Sequence, residues 1–135
     1  MERWLNQFSD NIYSVMRIIV GLMFACHGAQ KLFGVLGGKV EISTTVMFFA
    51  AIIEFVGGGL IALGFLTSYA AFLASGQMAF AYFMAHAPHS FFPIVNKGEL
   101  AVLYCFIFLY IAARGSGKLS LDQIIGKKTG NESLS

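Results

Sequence analysis

Apolar and polar positions alternate in blocks along this chain, with four apolar stretches separated by polar breaks. The first stretch runs from about residue 12 to residue 33, and Gly34, Gly37 and Gly38, with Lys39 and Glu41, form the break after it. A second runs from residue 44 to 66, apolar except for Glu54 and a few small or hydroxyl residues, and its length matches the roughly 20 residues needed to cross a bilayer. Thr67 and Ser68 leave almost no connection, so the third stretch, residues 68 to 87, must return antiparallel beside the second. Pro88 ends it, because the residue before a proline is pushed out of the helical region.

The segment HAPHSFFPIVNKGE is too polar and too broken to span, and its Phe91, Phe92 and Ile94 suit a loop folded back onto the membrane surface. In the fourth stretch, residues 97 to 115, the uncharged run is only Leu100 to Ala113, about 21 Å of helix, so it borrows length from Glu99 and Arg114 at its ends. Met1 to Asn11 reads as an interfacial arm with Trp4 at headgroup level. Residues 123 to 135 read as a polar tail, mobile at its end.

This pattern predicts an all-α transmembrane four-helix bundle. Basic residues set its orientation: Arg3, Arg114, Lys118, Lys127 and Lys128 flank the termini, against Lys39 and Lys97 in the long loops, which places both termini in the cytoplasm. The first helix is retained rather than cleaved as a signal peptide, since it is long and has no small-residue cleavage site.

Composition agrees. With 135 residues, 57% hydrophobic and 12% charged, and a mean hydropathy of +0.72, the chain has one domain and too little polar surface for a soluble globule. The net charge of +2, without a basic stripe interleaved with aromatics, excludes a nucleic-acid partner. Cys26 and Cys105 stand alone in apolar runs, which argues against a zinc site or a dithiol redox centre.

Against this apolar background the buried polar residues are the candidate chemistry, because ionisable groups at bilayer depth are costly. The first helix carries Arg17, His27, Gln30 and Lys31; His27 and Lys31 are one turn apart, and Arg17 returns to nearly the same face. Counting residues along an antiparallel bundle puts Arg17 low, Glu54 and Gln77 near the middle, and Lys31, His86 and Glu99 near the outer mouth. Glu54 is the one deep carboxylate, hence the counter-charge expected for Arg17 or the partner of His27. Lys31 is expected to turn toward His86 and Glu99.

Each of these residues has a plainer reading. Arg17 can snorkel to the interface, His27 and Gln77 can serve as interhelical hydrogen-bonding groups, and the Lys31, His86 and Glu99 set can be a solvated cluster. Gly57, Gly58 and Gly64 offer close-approach surfaces, either inside the bundle or for a homo-oligomer.

RIIVGLMFACHGAQKLFG, EFVGG, HAPHSFFPI and NKGELAVLY, in that order, resemble the DoxX family of small membrane proteins over about Arg17 to Asp122. The resemblance implies a compact four-helix bundle in the bacterial inner membrane. It also implies a link to quinone handling and to thiol or oxidative stress, since the family is named for a subunit of a membrane thiosulfate:quinone oxidoreductase. The family's recurring polar positions match Arg17, His27, Gln30, Lys31, Glu54, His86, Asn96 and Glu99.

Two functions are expected on these grounds. One is a redox-linked, quinone-interacting membrane subunit with redox-protein partners, in which His27, Lys31 and Glu54 meet the head group. The other is a non-enzymatic scaffold in which the same residues set helix register. A small-molecule or proton carrier ranks below both, because no helix shows the Gly/Pro-broken halves of a transporter site. Haem, ligated by His27 and His86, ranks below quinone as a cofactor.

Overall fold

The computed structural model describes residues 1–132 and is helical throughout, with no strand among the described residues. A short helix α1 (Glu2–Asn6) leads into α2 (Ser9–Phe33), which starts three residues earlier than the sequence pattern indicates. The second rod comprises α3 (Thr45–Ile52), a π-helical turn over Ile53–Gly57, and α4 (Gly58–Leu63). The third is α5 (Thr67–Ala81), extended by a second π-helical turn over Tyr82–His86. After a one-turn helix α6 (Pro93–Asn96) comes α7 (Glu99–Arg114). Of these, α2 and the second rod are long and apolar enough to cross a membrane.

The polar C-terminal segment is helical over its described residues. It forms α8 (Leu121–Glu132), while the last three residues of the expected tail lie outside the described residues. Its start is anchored: the Asp122 carboxylate accepts from the Leu66 and Thr67 amides at 2.9 and 3.1 Å and from the Thr67 hydroxyl at 3.0 Å. A carboxylate at the first turn of α5 satisfies orphan amides and complements the helix dipole. The start of α8 is therefore held at the turn between α4 and α5 through Asp122.

Two contacts organise the bundle. Where α2 crosses the second rod, a Cβ on Gly58 would lie 2.5 Å from the Ala25 amide nitrogen, and one on Gly21 would lie 2.6 Å from that of Ala62. Glycine is required there because the backbones themselves touch. The Gly58 face thus lies against α2 inside the bundle. On the other side, Ala70, Ala71, Ala74 and Ser75 of α5 are buried, and the Ser75 hydroxyl donates to the Cys105 carbonyl of α7 at 2.8 Å. Phe24 and Phe108, ring centroids 4.7 Å apart, fill the middle. Phe72, Phe83, Leu103 and Phe106 point outward.

Candidate functional site

Both π-helical turns carry polar residues of one cleft. A π turn adds one residue and rotates the helix beyond it, and such turns recur at functional sites. The turn at Ile53–Gly57 holds Glu54, and the turn at Tyr82–His86 holds His86. The cleft, about 340 Å3, lies between these turns, the end of α2 and the start of α7, with His27, Lys31, Glu54, His86, Lys97 and Tyr104 among its lining.

Glu54 is 2% exposed, and its Oε1 receives two hydrogen bonds, from Lys31 Nζ at 2.6 Å and from Gln77 Nε2 at 2.9 Å. Three helical rods therefore meet on one carboxylate oxygen. Its other oxygen, Oε2, makes no hydrogen bond among the described residues, and neither does the hydroxyl of Tyr104, a residue 4% exposed. Tyr104 is held by its ring, stacked on Phe108 at 5.4 Å between centroids and edge-on to His27 at 6.3 Å.

The outer wall is built by Asn96. Its side-chain amide donates to Ser90 O at 2.7 Å and to the Tyr82 hydroxyl at 3.1 Å, and its Oδ1 accepts from the Gly98 amide at 2.8 Å. Its backbone carbonyl lies 3.1 Å from His86 Nδ1, which orients that ring. The HAPHSFFPIVNKGE segment is thereby folded onto the cleft around one buried side chain.

The structure pairs the polar residues differently from the depth count. Arg17 meets neither Glu54 nor Gln77. It is fully buried at the other end of the bundle, where Nη1 donates to the carbonyls of Ile61 and Ala62 at 2.5 and 2.8 Å, and Nη2 to that of Leu119 at 2.8 Å. The last carbonyls of α4 are orphan acceptors at the negative end of a helix dipole, a natural seat for a guanidinium. Lys31 does not turn toward Glu99, which is exposed at the start of α7 and absent from the cleft lining. His27 lines the cleft, whereas Gln77 reaches Glu54 from outside it. Gln30 donates to Leu36 O at 3.0 Å and ties the loop after α2.

The direction of helical side chains explains these pairings. A Cα–Cβ bond leans toward its helix N-terminus. Lys31 on α2 and Glu54 on the antiparallel second rod therefore lean toward each other, while Arg17 leans away from Glu54 toward the end of α4. Which residues that lean brings together depends on how the two rods are set against each other. Tyr104 is one of three tyrosines, with Tyr82 and Tyr110, that the sequence offers as walls of a planar-ligand pocket, and it lines the cleft; the place of Lys97 there was not legible, since a loop lysine carries no mark.

A model of the DoxX family matches residues 12–87. An "Uncharacterized protein" of Haemophilus influenzae is 38% identical over 131 residues, covering 92% of this chain and 98% of that protein. The "Putative oxidoreductase CatD" of Bacillus subtilis is 28% identical over 126 residues, covering 88% and 92% respectively. No solved structure matches. With the family model covering more than half of its length, and with the helices long and apolar enough to cross a bilayer, this chain belongs to the DoxX family of membrane proteins.

Proposed function

We propose that this protein crosses the bacterial inner membrane four times, with both termini cytoplasmic, and binds a quinone head group in the Glu54 cleft as a redox-linked membrane subunit. The observation that carries this reading is the pair of buried, unpartnered polar atoms lining one cleft, Glu54 Oε2 and the Tyr104 hydroxyl. A buried polar atom without a partner is costly, and a ligand that supplies the missing bond recovers that energy. The Tyr104 hydroxyl and the His27 ring can donate to quinone carbonyl oxygens, and Glu54 Oε2, an acceptor, can take a hydrogen bond from a hydroxyl of the reduced quinol. The two electrons of reduction come from a redox-protein partner, and the two protons that complete the quinol come from water entering the cleft. The name of the Bacillus subtilis relative supports an oxidoreductase role.

Four crossings are supported by the outward apolar faces of all four rods and by the basic residues gathered at the termini. The unit is residues 1–122, with α8 as an appended cytoplasmic helix.

Titrating the purified protein with short-chain ubiquinone and menaquinone analogues tests the reading. We expect saturable binding, with the oxidised form weakened about tenfold or more in Tyr104→Phe and the reduced form weakened likewise in Glu54→Gln, the loss of one hydrogen bond to a buried ligand being about 1.4 kcal/mol or more. Absence of saturable binding would sink it.

A second reading, a scaffold in which polar groups set register, is favoured by Glu54 joining three rods through Lys31 and Gln77. It predicts that Glu54→Gln loses fold stability and partner recovery together, with no quinone binding in either protein.

A further inference from the structure

A second hollow, about 750 Å3, lies at the opposite end of the bundle from the Glu54 cleft, between α1, α2 and α7. Arg114, the last residue of α7, is fixed on its wall. Its guanidinium lies 4.1 Å from the centroid of the Tyr13 ring, Nη1 donates to the Tyr110 hydroxyl at 3.1 Å, and Nη2 to Asp10 at 2.7 Å. A guanidinium has five N–H donors, so donors remain after these bonds, and the side chain is 31% exposed. Arg3 lines the same hollow from α1 and makes no ion pair among the described residues.

The charges around the hollow leave a positive excess. Glu2 and Asp10 are the acids, and Asp10 is already shared between Arg114 and Lys118, 3.2 Å away. Beside the cations, Leu5 of α1 and Ile12 and Met16 of α2 give the wall apolar surface, next to the polar Asn6 and Ser9. Trp4 stands exposed on α1, as an interfacial anchor does. Cations, apolar side chains and the Tyr13 and Tyr110 rings around one hollow suit the parts of a phospholipid: its phosphate, glycerol and acyl chain.

We propose that this hollow binds an anionic glycerophospholipid, with its phosphate between Arg3 and Arg114 and an acyl chain along Ile12 and Met16. The proposal rests on the membrane-crossing reading of α2 and α7 and is independent of the quinone reading. The bound lipid pins α1 against the bundle and covers the end at which the connector to α8 departs.

Trp4 is the sole tryptophan of the chain and sits in α1, so its fluorescence reports on this site. The full chain is reconstituted in phosphatidylcholine vesicles, into which phosphatidylglycerol or phosphatidylcholine with brominated acyl chains is titrated. We expect half-maximal quenching of Trp4 at an about fivefold lower mole fraction of the brominated anionic lipid, the selectivity expected per basic residue at a membrane surface. Arg3→Gln, an exposed change with no ion pair to lose among the described residues, and Arg114→Gln should each bring the two curves together.

Equal quenching by both lipids overturns the proposal while leaving the membrane-crossing reading intact. Quenching by neither overturns both. If inorganic phosphate at constant ionic strength removes the preference, the hollow belongs to a free anion and the lipid assignment fails.

Discussion

Lys31 Nζ lies 2.6 Å from Glu54 Oε1, joining the end of α2 to the π-helical turn of the second rod. The carboxylate side chain is 3% exposed and the lysine 33%, so the pair has one buried and one half-wet member. Removing the wet member leaves the dry one uncompensated, which is the costly direction.

Lys31→Met should therefore destabilise the protein by about 2 kcal/mol, below the usual 3–5 for a fully buried pair because Lys31 is partly solvated. Adding Glu54→Gln to it should recover part of that loss. Denaturant titration of the two single variants and the double variant in micelles measures the coupling. Additive effects would show that the pair contributes nothing to the fold.

Arg17 should not be replaceable by lysine. Its planar fork reaches the Ile61 and Ala62 carbonyls with one nitrogen and the Leu119 carbonyl with the other, which a single ammonium cannot do. We expect Arg17→Lys to expose the segment from Gly115 to Ser120 to limited proteolysis, while hydrogen exchange at the Glu54 cleft stays as in the parent. A connector as resistant as the parent's would contradict this role.

The helix crossing makes a paired prediction. A Cβ at Gly58 would come within 2.6 Å of the Gly21 carbonyl oxygen, whereas one at Gly59 meets nothing within 4 Å. Gly58→Ala should force α2 from the second rod and lower the melting temperature by several degrees, while Gly59→Ala should leave it unchanged or raise it slightly through helix propensity. Thermal melts of both variants decide the matter, and equal losses would mean that the crossing is looser than described.

Asp122 gives the fold an acid limit. Burial pushes its carboxyl up, but hydrogen bonds from the Thr67 amide, the Leu66 amide and the Thr67 hydroxyl outweigh it and hold the group below its ordinary 3.8. A carboxyl lowered in the folded state adds stability that is present above the ordinary value and lost as pH falls through the folded one. The docking of α8 should thus be constant near neutrality and weaken below about pH 4. In Asp122→Asn the weakening should disappear because docking is already impaired. Amide exchange at Leu66 and Thr67 against pH reads this directly, and an unchanged acid limb in the variant would assign it to another group.

Tyr104→Phe should leave stability unchanged or slightly improved, because the hydroxyl it removes has no partner among the described residues while the ring stacking on Phe108 remains. A large loss on unfolding by denaturant would reveal a structural bond to that hydroxyl.

Much of this protein is legible in its residues, and the reasons differ by element. The apolar stretches around residues 12–33 and 44–66 appear as helices because crossing length and hydropathy are properties of a segment alone. Pro88 follows the third rod as expected, after the π turn that ends at His86. The costliest residues, Arg17 and Glu54, stand out for the same reason: an ionised side chain among apolar neighbours is visible without a partner.

The partners were a different matter. Arg17 is satisfied by backbone carbonyls, which every residue carries and no sequence marks. The ordered α8 depends on Asp122 reaching the turn between α4 and α5, a contact across more than fifty residues. The π-helical turns come from an extra residue absorbed under packing, with no residue type that announces them. By itself, then, the sequence determined which segments are helical and apolar and which charges had to be dealt with, because those are local free energies. Tertiary structure alone decided that Lys31, and not Arg17, meets Glu54, since that depends on how two antiparallel helices lean and cross through Gly21 and Gly58.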